Sequence, residues 1–392
     1  MRPIKQPNAE TLQQPVPVAG QPKPSENAVV RLDVSAYRIP TETPEADGTI
    51  YWDSTTLVLV EAVASSGECG LGYTYASAVT VPLICDLLAP VVTGTPVDDV
   101  RVAWGKMIQA VRNVGRPGIA STAISAVDTA LWDLKAQSAK KPLFLLLGAH
   151  RREVPIYGSG GFTTYSDEQL RTQLAGWVAE GITQVKMKIA RDWGSQPEDD
   201  LRRVKIAREA IGPDAALFVD ANGGYTVKQA IELAQRFYAQ DGVTWFEEPV
   251  SSDQLDQLHF VREHVPMQVA AGEYGFDPWY FRSMLGAGAV DVLQADATRC
   301  LGVTGFLEAG EIAHGFGIPF SAHTAPALHA QVGCVVPELF NVEYFFDHAR
   351  IEHMLFAGGP QCVGGYLRPD PSRPGLGIEF KRQDAQRWKI VG

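Results

Sequence analysis

Phe218-Val219-Asp220-Ala221-Asn222-Gly223-Gly224-Tyr225 is the stretch from which the rest of the chain can be read. The apolar run Ala215 to Val219 has the length and composition of a buried strand, and a Gly-Gly turn and a new helical pattern follow it. Asp220 therefore stands at the carboxyl end of a strand and faces a loop. Two junctions downstream repeat the arrangement: Val243-Thr244-Trp245-Phe246 runs into Glu247-Glu248-Pro249, and Met267-Gln268-Val269-Ala270-Ala271 runs into Gly272-Glu273. Asp220, Glu247 and Glu273 follow one another at intervals of 27 and 26 residues, the length of one strand, one helix and two loops. Any one of these acids alone reads as a helix cap or a surface charge. Three in register, on strands whose ends converge in a parallel barrel, read as oxygen ligands for a hard cation such as Mg²⁺.

Outward from that core, the alternation of strand and helix begins at Val154. Strands are expected near 154–158, 183–189, 215–220, 243–247, 267–272, 290–295, 318–322 and 340–344, with Asp167 capping the first helix and Gly181 ending it. Eight strands with no long unexplained loop favour a closed barrel over a doubly wound sheet. Residues 28–150 read differently: a three-stranded sheet, with strands at Val29–Val34 and Thr56–Val63, the latter leading through Gly67 to Gly72, then helices over Val81–Leu88, Asp98–Arg112 and Ser121–Ser138. That is an α+β unit, with a polar loop from Arg38 to Asp53. The expected division is a flexible Pro- and Gln-rich arm over 1–27, the α+β unit over 28–150, the barrel over 151–365, and a segment 366–392 returning to the N-terminal unit.

Strand two carries Val185-Lys186-Met187-Lys188-Ile189, and the two-residue period of a strand sends both lysines to one face. Inside a barrel they would need anions or a function, since buried unpaired charge is costly. A second lysine and a divalent cation would both lower the lysine pKa from ~10.4, so that Lys188 could take a proton near neutral pH. Strand six ends in Asp296 and strand seven in His323, a carboxylate able to orient an imidazole for acid/base work. For Glu343 on strand eight two readings stay open, a protonated carboxyl donating to substrate or a buried ion pair. Gly158-Ser159-Gly160-Gly161 reads as a flexible turn and His329 as structural. No lysine lies between Lys228 and Lys381, which rules out a lysine base on strand six.

Composition bounds the partners. With 392 residues, 45% hydrophobic and 20% charged, the chain can bury a full core, and its net charge of −11 repels nucleic acid and anionic membranes. Five scattered cysteines without a CxxC pair suggest neither a disulfide framework nor a zinc knuckle, and no apolar run approaches the ~18 residues of a membrane helix. A small-molecule carboxylate substrate, a cytoplasmic location and a homo-oligomer are expected.

From Val29 onward these features resemble the enolase superfamily and, within it, the mandelate racemase-like group. The two lysines two apart, the strand-end acids, the Asp296/His323 pair and the segment Val127-Asp128-Thr129-Ala130-Leu131-Trp132-Asp133 through Leu146-Leu147-Gly148 carry the resemblance. It implies a capping domain on a (β/α)₇β barrel, with Mg²⁺ held by Asp220, Glu247 and Glu273 and with Asn222 beside the metal. It further implies Lys186 against the substrate carboxylate, Lys188 and the His323–Asp296 dyad as acid/base groups, and Glu343 as an electrophile. The missing strand-six lysine departs from the muconate-cycloisomerase pattern and argues against cycloisomerisation of that type.

Such a site removes the proton α to a carboxylate and stabilises the enediolate. Loss of a β-hydroxyl protonated by His323 would make the chain an acid sugar dehydratase, a reading favoured by the polar residues Thr41, Glu42, Thr43, Glu45, Asp47 and Trp52 of the Arg38–Asp53 loop. Reprotonation by His323 would make it a racemase or epimerase of 2-hydroxy acids. A sugar-acid-binding barrel without catalysis is the remaining alternative.

Overall fold

A computed structural model describes residues 27–392, so the expected arm, apart from Asn27, lies outside the described residues. The first unit is an antiparallel sheet of β1 (Val29–Ala46), β2 (Tyr51–Ala64) and β3 (Cys69–Tyr75), with the C-terminal strand Lys389–Val391 added beside β1 at Ala36 and Tyr37. Leu57, Val58, Leu59 and Val60 of β2 are all buried because both faces of the sheet are covered. The helix Ile119–Ser138 lies directly on β3. A Cβ at Gly72 would come within 2.1 Å of the Ala126 carbonyl oxygen, so only glycine lets the helix approach this closely.

The expected polar loop from Arg38 to Asp53 is a correction: β1 runs on to Ala46 and β2 begins at Tyr51, leaving a turn of four residues. Pro40 and Pro44 suggested a loop, yet the C-terminal strand pairs with β1 only at Ala36 and Tyr37, so beyond it the prolines face no further strand. The register slips between Pro40↔Ser54 and Glu45↔Trp52, a bulge that bends the hairpin.

Eight parallel strands then form the barrel: β4 (Val154–Gly160), β5 (Gln184–Lys188), β6 (Ala216–Asp220), β7 (Val243–Glu247), β8 (Gln268–Ala271), β9 (Val292–Ala295), β10 (Phe320–Ala322) and β11 (Leu339–Phe345). Each pairs with the next and β11 pairs with β4, which closes the cylinder. Two local expectations change. Gly158 to Gly160 belong to β4 and not to a turn, because a Cβ at Gly158 would lie 2.5 Å from the Trp177 ring of the covering helix. The helix Asp167–Ala179 is capped by Ser166, whose hydroxyl accepts from the Gln169 N–H while the Gln169 side chain returns the bond to the Ser166 N–H. Asp167 is its first helical residue.

Period-two alternation layers the barrel interior. Tyr157, Phe218 and Trp245 form a lower apolar layer, with Phe218 stacked on Trp245 at 5.0 Å. Two residues further along those strands, on the same inward face, stand Ser159, Asp220 and Glu247. The apolar layer thus supports a charged one. The helix Ile119–Ser138 joins cap to barrel through Asp128, which accepts from the Thr304 N–H at 2.9 Å and hydroxyl at 2.8 Å, and through Asp133, which accepts from the Leu71 and Leu376 N–H groups at 2.6 Å each.

Candidate active site

The strands end in sharp turns at the barrel mouth. Asn222, Glu248, Thr324 and Ala325, each just beyond a site residue, have φ of 44°, 38°, 54° and 37°, a left-handed region that non-glycine residues occupy at some strain. Asp220 holds its turn by accepting from the Asn222 N–H at 2.9 Å, and Asp296 does the same with the Thr298 N–H at 2.7 Å.

Asp220, Glu247 and Glu273 come together as the spacing predicted: one carboxylate oxygen from each lies within 4.8 Å of the others, and all three are buried. The buried Oδ1 of Asn222 has no hydrogen-bond donor, and Oε2 of Glu273 faces His323 Nε2 at 3.3 Å, so the cluster has lone pairs to offer. Clustered hard oxygens with spare lone pairs fit a divalent cation of the Mg²⁺ type.

Both lysines of β5 point inward. Lys186 is fully buried and pairs with Glu247, with Glu343 at 2.8 Å and with Asp220 at 3.3 Å. It is not among the residues that line the cavity, and three acids hold it beneath them. Lys188 pairs with Asp220 and does line the cavity. Burial and, as the sequence suggested, Lys186 press the Lys188 pKa down, but the carboxylates led by Asp220 outweigh them and hold it above the ordinary lysine value.

His323 donates through Nδ1–H to the Asp296 carboxylate at 2.9 Å, and its Nε2 lies 3.3 Å from Glu273. Burial opposes its charge, yet the Glu273 carboxylate raises its pKa to about 10, so it is held as an imidazolium. Glu343 is an acceptor, not the neutral donor considered above: it takes Ser159 Oγ at 2.6 Å and the Thr324 N–H at 3.1 Å in addition to Lys186. Burial would raise its pKa, but Lys186 and His323 pull it to about 2. Glu247 goes the other way, pushed up to about 8 by burial and the Asp220 charge despite Lys186.

Lys188, Asn222, Glu273, His323 and Glu343 open onto a cavity of about 400 Å³ between barrel mouth and cap. Of the six hairpin residues expected there, Asp47 and Trp52 line it, and Glu45 stands behind Trp52, accepting from its Nε1 at 2.9 Å. Thr41, Glu42 and Thr43 do not line it. Sequence reasoning missed Arg299, which pairs with Glu273 and Asp296, and also Tyr274, Tyr75 and His348 on the wall, and the buried Glu248 beside the cluster. Glu248 had a signal, the doublet with Glu247; Arg299, three residues beyond Asp296, had none. His329 is structural: its ring accepts from the Ala297 N–H at 2.9 Å and bonds the Thr324 carbonyl at 2.7 Å.

Comparison with known proteins agrees with this architecture. Residues 29–148 match the N-terminal domain model of mandelate racemase and muconate lactonizing enzyme, and residues 169–385 match the enolase C-terminal domain-like model. The chain is 33% identical to arabinonate dehydratase of Saccharolobus solfataricus, over 85% of this chain and 90% of that one. It is 32% identical to D-galactarolactone cycloisomerase of Agrobacterium fabrum, over 92% and 98%. Among solved structures, a mandelate racemase/muconate lactonizing enzyme-like protein from Rubrobacter xylanophilus superposes with a TM-score of 0.89 at 48% identity, covering 93% of this chain and 100% of that one. L-talarate/galactarate dehydratase from Salmonella typhimurium, solved with Mg and L-lyxarohydroxamate, gives 0.84 at 26% identity, covering 93% of each. Capping sheet, closed barrel and both domain matches agree, and the chain belongs to the mandelate racemase/muconate lactonizing enzyme family of the enolase superfamily.

Proposed function

We propose that this chain removes the proton α to the carboxylate of a polyhydroxy sugar acid and eliminates water, giving a 2-keto-3-deoxy acid. The observation that carries the reading is that Lys188 and His323, the latter paired with Asp296, line one cavity beside the Asp220/Glu247/Glu273 cluster. Mg²⁺ held by those three acids would supply the Lewis-acid charge that stabilises the dianionic enediolate and offsets the carboxylates that otherwise keep Lys188 protonated. Lys188, once neutral, takes the C2 proton onto Nζ. His323, oriented by Asp296, gives a proton to the C3 hydroxyl, which leaves as water. The resulting enol tautomerises to the 2-keto acid. Lys186 and Ser159 fix Glu343 beneath the reacting atoms.

A cycloisomerase shares the first half of this reaction and stands as the second reading, because a relative at 32% identity carries that name. The absent strand-six lysine argues only against the muconate type. A racemase shares the same half-reaction. A screen of acid sugars with Mg²⁺ for 2-keto acid formation, repeated after exhaustive EDTA treatment, separates the three. Keto acid with loss of water, abolished by EDTA, is expected; an inverted or ring-opened product of unchanged mass, or full activity after EDTA, would overturn the reading.

A further inference from the structure

The two sides of the cavity differ in chemistry. Lys188, Glu273, Arg299, His323 and Glu343 make the barrel side charged. The cap contributes hydroxyls and rings, among them Trp52, Thr55, Thr56 and Tyr75, and meets His348 from the barrel helix Phe346–Leu355. His348 is buried, its ring stacks on Tyr75 with centroids 3.4 Å and planes 13° apart, and its Nδ1 has no hydrogen-bond partner. Burial pushes its pKa down to about 3, so it stands there as a neutral donor and acceptor.

The cations on the wall are already committed. Lys188 is paired with Asp220, Arg299 with Glu273 at 3.4 Å and Asp296 at 3.6 Å, and His323 with Asp296 at 2.9 Å. Asp47 adds a carboxylate whose Oδ1 takes all three of its donors, the Thr49 N–H and hydroxyl and the Ile50 N–H. Among the described residues, no lysine or arginine of the wall is left to pair with a second substrate carboxylate. An anion placed against such a wall would lose hydration without gaining a counter-charge, whereas hydroxyls would find donors and acceptors.

We propose that the cap side of the cavity, with the Tyr75–His348 pair, is a subsite for the uncharged polyhydroxy end of the substrate, so that the chain takes monocarboxylate aldonates and rejects dicarboxylate aldarates. This rests on the dehydratase reading and goes beyond it. Family membership does not decide the point, since relatives are named both for arabinonate and for talarate and galactarate.

The test is kcat/KM with Mg²⁺ on matched pairs, D-gluconate with D-glucarate, D-galactonate with galactarate and D-arabinonate with D-arabinarate, together with equilibrium binding of the same acids to Lys188→Ala. The best aldonate should exceed its aldarate by on the order of 100-fold. Equal or reversed preference overturns the inference, and so does binding of neither class. Tighter binding of aldonates without turnover of any acid would sustain the subsite while the dehydratase reading fails. Ser77→Lys, at an exposed position on the same wall, adds a cation without disturbing the core and should narrow the ratio by about tenfold. An unchanged ratio in the folded variant contradicts the placement. His348→Phe should raise KM for aldonates more than it lowers kcat; the opposite split contradicts a binding role.

Discussion

Two sets of buried carboxylates serve this chain in opposite ways. At the barrel mouth, Asp220, Glu247, Glu273, Asp296 and Glu343 are surrounded by Lys186, Lys188, Arg299 and His323, and most of the acids stay ionised because of them. At the seam between cap and barrel, Asp128, Asp133 and Glu352 are as deeply buried, but their donors are neutral: Thr304, the Leu71 and Leu376 amides, the Tyr73 hydroxyl and the Ala327 amide. Burial pushes these acids up to about 7, 7 and 8. The contrast separates function from structure without reference to any relative. An acid whose charge is kept by cations that face a cavity is available for chemistry; one satisfied by amides fixes two units together.

Breaking the first set should have the largest effect. Asp220→Asn, Glu247→Gln and Glu273→Gln should each lower turnover by at least about 1000-fold and weaken Mg²⁺ binding, measured by titration calorimetry, while the fold survives because neutralising one acid relieves its neighbours. Loss of folding in all three, with Mg²⁺ binding kept in none, would mean the cluster is structural and would erase the contrast.

The second set should govern how stability depends on pH. Acids whose folded pKa is raised remain protonated in the native chain where the unfolded chain has already ionised, so the native state binds more protons and stability falls as pH rises. The window opens above the ordinary carboxylate values of 3.8 and 4.5 and closes past about 8. Denaturant midpoints should therefore decline by the equivalent of a few kcal/mol between about pH 5 and pH 8. Asp128→Asn, which cannot ionise, should flatten that slope; an unaltered slope would show that Asp128 does not titrate there.

A smaller effect sharpens the same point. Asp133→Asn leaves one of two amide N–H groups facing an NH₂ group, at a cost of about 1–3 kcal/mol, with Mg²⁺ affinity unchanged. Reduced metal affinity in that variant would join the two regions that the account keeps apart.

The strand-end register of Asp220, Glu247 and Glu273 was legible because strand period and barrel closure leave those positions little freedom, and Lys186, Lys188, Asp296 and His323 were legible for the same reason. What was not legible depends on non-local geometry. Pro40 and Pro44 read as a loop because nothing local shows that their edge of β1 is unpaired beyond Tyr37. Gly158 and Gly160 read as a turn until Trp177 and Gln173 of the covering helix are placed against them. The ion pair of Lys188 with Asp220 was not legible, because the sequence displays its lysine neighbour two positions away, while Asp220, 32 residues later, is brought into contact only by the pairing of β5 with β6. His348 and Tyr75 come from different domains, and only the docking of the cap makes them one stack.

The division of labour between Lys188 and His323 is the central claim, and isotope exchange in His323→Asn tests it most directly. In D₂O with Mg²⁺ and an aldonate substrate, this variant should exchange the C2 proton of unreacted substrate while forming no keto acid, because Lys188 still removes the proton and nothing protonates the leaving hydroxyl. Lys188→Ala should do neither. Exchange retained in Lys188→Ala and lost in His323→Asn would contradict the assignment and make His323 the base.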